Sequence, residues 1–184
     1  MKVSDEAIFD AVRKAIAQAL EVEEEKVTMD ASLEDLGAES LDFMDIAFKL
    51  EKAFNVQLLK VGILEKMSEV VGEGVLEDKG ALTEAGADLL RKRMPEVDPS
   101  RIQQGLAIDR VNSLFKVRTV VRGLREVLES QPTVCGACGA DRLVPQGRKK
   151  LRCEACEWEV APPSGDDVVE EWVRNEFQPR PAGS

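Results

Sequence analysis

Apolar residues recur at helical spacing over residues 4–20, where Ile8, Val12, Ile16 and Leu20 stand four apart with Ala11, Ala15 and Ala19 beside them. That period, opened by acidic Asp5 and Glu6, predicts an amphipathic helix. A polar loop follows, and Ser40 then opens a second helix bearing Leu41, Met44, Ile46, Ala47, Phe48, Leu50 and Phe54. Its exposed positions are expected at Asp42, Asp45, Lys49, Glu51 and Lys52. From 56 to 80 the pattern weakens, so that a helix fits only up to about Val71, and glycines at 72, 74 and 80 mark a loop. A third amphipathic segment can start at Thr83 and must end before Pro95, because proline disfavours helical geometry in the residue before it. Asp98 and Pro99 read as a further helix start. Thr119 reads as the cap of a last helix in which Val120, Leu124 and Leu128 share a face, flanked by Val121 and Val127. Residues 1–130 are thus expected to be all-α.

The pattern changes at Ser130, Gln131 and Pro132. Glycine punctuation, paired cysteines and short strand-like runs follow as far as Ala161, and Pro162, Pro163, Ser164 and Gly165 read as a linker. The segment DDVVEEWVRNEF can make a short helix with Val168, Val169, Trp172 and Val173 on one side, and the final PRPAGS reads as disordered. This predicts a helical unit over 1–130, a small module over 131–162, and a linker, short helix and tail over 163–184. There is no internal repeat.

Composition narrows the functions. The formal net charge of −10 disfavours sequence-independent binding to nucleic acid, since phosphates are repelled at range. Histidine is absent, which removes Ser-His and Cys-His nucleophile pairs and the commonest general base. An independent hydrolase is therefore disfavoured. The N-terminus reads as neither a secretory signal nor a transit peptide, and no apolar run approaches the roughly 18 residues of a membrane span. A cytoplasmic monomer is expected. Four cysteines in two close pairs then point to metal rather than to disulfides.

The chemistry is densest over residues 35–54, DLGAESLDFMDIAFKLEKAF. A serine at a helix N-terminus has an exposed hydroxyl, and a phosphodiester placed on it would sit beside free amides and the positive end of the dipole. Gly37 can supply the backbone angles that turn the loop into the helix. A loop capped by serine, with an ordinary core helix behind it, is the structural alternative. The run resembles the prosthetic-group attachment site of acyl carrier proteins, in which D-x-G-x-D-S-L places the modified serine at the start of the second helix. Asp35, Leu36, Gly37, Ser40, Leu41 and Asp42 match, while Glu39 replaces the usual aspartate.

The resemblance implies a 4′-phosphopantetheine arm on Ser40, attached by a phosphopantetheinyl transferase, and a non-catalytic carrier fold of four helices. It further implies that Leu41, Asp42, Met44, Asp45 and Phe48 face partner enzymes, whereas Ile46, Leu50 and Phe54 fall where the family has core residues. Residues 1–60 carry fourteen acidic and seven basic side chains, which suits acyl-transferring or condensing enzymes with basic docking surfaces. The resemblance runs to about Leu59 and returns at FKVRTVVRGLREVL. Between them lies an insertion, about 60–113, in place of a short acidic third helix. In this the chain resembles enlarged, specialised carriers used for unusual lipids.

Cys135-Gly-Ala-Cys138 and Cys153-Glu-Ala-Cys156 are separated by fourteen residues. Each pair can form a knuckle with two thiolates aimed at one ion, and the residues between can form a hairpin that brings the pairs together. Four thiolates suit a closed, structural zinc site, a zinc ribbon, although mononuclear iron would use the same ligands. Arg148, Lys149, Lys150 and Arg152 make the hairpin basic, but Glu154, Glu157 and Glu159 nearly cancel them, so a solvated hairpin is favoured over a nucleic-acid contact. The combined reading is a carrier of acyl intermediates in fatty-acid or specialised lipid biosynthesis. The rivals are a polyketide or aminoacyl carrier, and a zinc-ribbon interaction adaptor without carrier activity. The two modules are expected to be independently stable unless the helix around Trp172 bridges them.

Overall fold

A computed structural model describes residues 3–60 and 62–177. Helix α1, Asp5–Leu20, begins where the Ser4 hydroxyl accepts the Ala7 amide at 3.2 Å and buries Ile8, Val12 and Ile16, as its period requires. Helix α2, Ser40–Phe54, buries only Ile46 and Leu50, with Phe54 partly covered. Helix α3 spans Ile63–Val71 and α4 Glu84–Arg93, the latter capped by Thr83, whose hydroxyl accepts the Gly86 amide at 3.0 Å. Helix α5 spans Val117–Ser130 and α6 Gly165–Glu176.

Three sequence expectations are corrected. The first 130 residues are not wholly helical: strands β1, Glu77–Asp78, and β2, Ala81–Leu82, form a minimal antiparallel hairpin. Its two-residue turn is Lys79-Gly80, both with positive φ, the geometry that matches the twist of paired strands. Asp98 and Pro99 open only a single 3₁₀ turn, Pro99–Arg101. Thr119 does not precede α5 but sits in its first turn, where its hydroxyl accepts the Lys116 amide at 3.2 Å.

The helices bury two cores. One is built by α1, α2 and α5 with Val27, Leu33 and Val56. The loop carrying Leu33 is fastened to the start of α5 by backbone bonds from Leu33 to Phe115 and from Val117 to Ala31, at 2.9 and 3.0 Å. The other core gathers α3, α4, the β1–β2 hairpin and the 3₁₀ turns around Met67, Leu76, Leu90 and Ile102. Val169 and Val173 of α6 complete it. The helix expected beyond the cysteine module as a tail is thus packed against both α3 and α5. The PRPAGS segment lies outside the described residues.

Between α5 and α6 stand strands β3, Leu143–Pro145, β4, Leu151–Cys153, and β5, Glu159–Val160, in one antiparallel sheet of order β3-β4-β5. The ends of this module meet where the Gln131 side-chain amide donates to the Pro163 carbonyl at 2.9 Å. Among the described residues no helix is long and apolar enough to cross a membrane.

Candidate functional site

Ser40 is exposed in the first turn of α2. It is not the cap of that helix. The capping position is Glu39, whose amide donates to the Asp42 carboxylate at 2.7 Å. The chain reaches this point through Gly37 at φ +88°, a conformation that side chains with a Cβ rarely adopt, and through the Ala38 amide bonded to the Leu33 carbonyl at 2.9 Å. The Ser40 hydroxyl is therefore presented to solvent at the N-terminal end of α2, where a phosphate diester is electrostatically favoured.

Downstream of Ser40, α2 displays Leu41, Met44 and Phe48, exposed by 72, 62 and 54%. These are three of the four large apolar side chains that the described residues leave exposed, and all three are among the positions that the resemblance implies face partner enzymes. Together they make an apolar strip on an otherwise charged helix. Asp42 and Asp45 flank it, but each already has a partner: Asp42 caps Glu39, and Asp45 is ion-paired to Lys49 at 2.6 Å.

A cavity of about 550 Å³ opens beside Ser40 and separates α2 from α5. Its walls include Ala47 and Leu50 of α2, Val120 and Gly123 of α5, and Val168 and Val169 of α6. Gly123 lies in mid-helix, and a Cβ there would meet nothing within 4 Å. Its missing side chain is cavity space. Two wall elements escaped the sequence reading, α6 and Gly123; a glycine inside an apolar helical period was the available signal for the second. A larger cleft of about 680 Å³, bordered by Asp5, Glu6, Arg118 and Arg125, does not include Ser40.

One edge of the cavity is ionic. The nearly buried Arg93 donates to Glu126 at 2.9 Å, its guanidinium lies 5.2 Å from the Trp172 ring centre, and Arg122 bonds both Glu126 and Glu96, at 2.9 and 3.1 Å. Burial pushes both carboxyl groups up, but the hydrogen bonds and charges of the arginines outweigh it, leaving Glu96 and Glu126 below the usual carboxylate range.

The four cysteines converge. Knuckles form where the Cys135 amide donates to the Ala140 carbonyl and the Cys153 amide to the Trp158 carbonyl, both at 2.8 Å. All four sulfurs lie within 4.8 Å of one another; Cys135 and Cys156 are 3.6 Å apart, Cys138 and Cys153 3.7 Å. A tetrahedron of thiolates about 2.3 Å from a zinc ion has edges of about 3.8 Å, so the donor set fits one such ion. The same distances exceed the roughly 2.05 Å of a disulfide. Burial pushes the Cys135 thiol up, but the amides of Cys138 and Ala137 and the adjacent thiols outweigh it and bring it to about 7. The Trp158 amide favours the Cys156 thiolate, yet the three other sulfurs crowd it and push it up to about 12.

The cysteine module also touches α2. Arg148, at the tip of the β3–β4 hairpin, pairs with Glu51 at 2.9 Å and lies 5.3 Å from the Phe48 ring centre. Beside it the Asn55 side chain donates to the Gly147 carbonyl at 3.3 Å. With α6 packed on α3 and α5, the helix around Trp172 does bridge, which is the condition under which the sequence expects the two modules to be coupled, and the hairpin tip on α2 is a second contact.

A family model described as "Phosphopantetheine attachment site" matches residues 10–59, which contain α1 from Asp10 onward, the loop, Ser40 and all of α2. The acyl carrier protein AcpXL of Brucella melitensis is 37% identical over 67 residues, 36% of this chain and 68% of that protein. AcpXL of Rhizobium etli is 38% identical over 69 residues, 37% of this chain and 71% of its own length. The acyl carrier protein of Campylobacter lari is 43% identical over 53 residues, 28% and 69%. No solved structure matches the chain. With an exposed serine opening α2, an apolar strip beside it, and relatives of this identity covered over two thirds of their length, the chain belongs to the acyl carrier protein family.

Proposed function

We propose that this protein carries acyl intermediates of fatty-acid or specialised lipid biosynthesis on a 4′-phosphopantetheine arm attached to Ser40. The observation that carries the reading is the placement of Ser40: an exposed hydroxyl in the first turn of α2, at the rim of the 550 Å³ cavity. The arm supplies a terminal thiol that holds the acyl group as a thioester. The chain's own residues do the rest. First-turn amides of α2 favour the phosphodiester. The apolar walls formed by Ala47, Leu50, Val120 and Val168 exclude water from a hydrocarbon chain folded back beneath Ser40. Leu41, Asp42, Met44, Asp45 and Phe48 form the face that phosphopantetheinyl transferase and acyl-handling enzymes cover. The protein performs no chemistry of its own in this reading, and it acts in the cytoplasm.

The carrier unit is residues 1–130, in which α1, α2 and α5 share one core and the insertion of about 60–113, carrying α3 and α4, enlarges it. Residues 131–162 are a zinc ribbon, in which Cys135, Cys138, Cys153 and Cys156 hold a structural ion, and α6 returns the chain to the carrier. Closed four-sulfur ligation leaves no position for substrate.

The test is intact mass after incubation with coenzyme A and a transferase. The wild-type chain should gain one phosphopantetheine moiety, and Ser40→Ala none, with stability changed by less than about 0.5 kcal/mol because Ser40 caps nothing. Asp42→Ala, which removes the cap, should instead cost about 1 kcal/mol yet still accept the arm. Arm addition to Ser40→Ala would place the attachment site elsewhere.

A further inference from the structure

The tip of the ribbon hairpin stands on the edge of the face through which α2 would meet its partners. A standard interface covers about 800 Å² per partner, a disc of roughly 16 Å radius. Phe48 lies roughly 6 Å along the helix from Met44, the middle of the apolar strip. Arg148 lies 5.3 Å from the Phe48 ring. A partner centred on Met44 therefore covers the Arg148 side chain, and the hairpin backbone at Gly147, bonded to Asn55 about 16 Å along the helix from Met44, stands at the edge of that disc.

The charges at that tip differ from those on α2. Arg148 is neutralised by Glu51, Lys150 by Glu159 at 2.5 Å and Arg152 by Glu157 at 2.6 Å. Lys149 is exposed and has no ion pair among the described residues. The footprint is thus anionic at Asp42, apolar through Leu41, Met44 and Phe48, and cationic at Lys149.

We infer that the ribbon is a partner filter: Lys149, held beside α2 by the Arg148 contacts, disfavours enzymes whose docking surface is basic throughout. It favours an acyl-handling enzyme with a basic residue opposite Asp42 and an acidic one opposite the ribbon tip. Specificity of this kind comes from a repulsion placed against the wrong partner as much as from attraction to the right one. The charge at issue is at the rim of the footprint, so it acts on encounter and is screened by salt. The inference rests on the reading of α2 as the docking face.

The experiment uses the full-length, zinc-loaded chain, with zinc content and amide spectra checked for each variant. The probe is a broad-specificity phosphopantetheinyl transferase with a uniformly basic docking surface, and arm transfer to Ser40 is followed across a salt series. Lys149→Glu should raise kcat/KM roughly threefold or more at low salt, through KM, and the gain should vanish at high salt. Lys149→Ala should show a smaller gain in the same direction. Asp42→Asn/Asp45→Asn should lower kcat/KM. If both Lys149 variants leave transfer unchanged or slow it while the aspartate variant still loses activity, the filter is overturned and the docking face stands. If the aspartate variant transfers as the wild type does, the docking face itself is wrong, and the inference falls with it.

Discussion

Gly165 of α6 is set against Leu59 so closely that a Cβ on it would lie 2.3 Å from the Leu59 amide nitrogen and 2.7 Å from the Leu58 carbonyl carbon. The contact is stitched on both sides: the Gly165 amide donates to the Gln57 carbonyl at 2.8 Å, and the Lys60 amide to the Asp166 carboxylate at 3.1 Å. Both neighbours are backbone, so neither can swing aside. Gly165→Ala should therefore push α6 off the wall of the Ser40 cavity and destabilise the fold by about 1–3 kcal/mol, read from urea unfolding. An alanine variant as stable as the wild type would show that α6 is not seated there.

Gly123 presents the opposite case, since its missing Cβ faces open space in the middle of α5. Gly123→Ala should stabilise the protein by about 0.5–1 kcal/mol through helix propensity. Gly123→Phe should leave the rate of arm addition to Ser40 unchanged while filling the cavity. Its long-chain acyl thioester should then be cleaved by hydroxylamine faster than that of the wild type, and the short-chain thioester at the same rate. Equal cleavage of both would mean that the chain does not enter the cavity.

The ion cluster at the cavity edge predicts acid sensitivity. Glu96 and Glu126 are held below their unfolded pKa, so the stability they contribute is complete above that value and is lost as pH falls through the lower, folded one. Thermal midpoints should fall below about pH 4.3, the ordinary glutamate value. Glu126→Ala leaves the nearly buried Arg93 without its carboxylate, and should cost about 2 kcal/mol at neutral pH and flatten the acid limb. A variant with the wild-type acid profile would assign that limb to other groups.

Removing metal should release the ribbon, because a module of this size cannot offset chain entropy with its own apolar surface. Elemental analysis should find about one zinc per chain, as the single four-sulfur cluster requires; stoichiometric iron would favour the mononuclear iron site instead. The structure adds a second readout. On chelation the amide signals of Phe48, Glu51 and Asn55 should shift with those of residues 133–161, since Arg148 and Gly147 contact them. Signals of α4, in the other core, should hold. Shifts confined to the ribbon would show that its tip does not rest on α2 in solution.

Local chemistry was legible from the sequence alone. The helical period of Ile8, Val12 and Ile16, the turn at Gly37, the serine that opens α2 and the spacing of Cys135, Cys138, Cys153 and Cys156 all depend on residues near one another in the chain. Even the exposed strip of Leu41, Met44 and Phe48 follows from one helix face, once the resemblance says which face is outward. Tertiary structure decided what depends on distant segments meeting. Val168 and Val169 have the same apolar period whether α6 is a free tail or a cavity wall, and only the Gly165 approach to Leu59 selects the second. Asp42 displaced Ser40 as the cap because capping is settled by which side chain reaches the free amide, and several near a helix start are able to. Arg148 read as one charge in a balanced hairpin. Its place over Phe48 depends on the path by which α5 and α6 return the ribbon to α2, and a one-dimensional pattern does not carry that path.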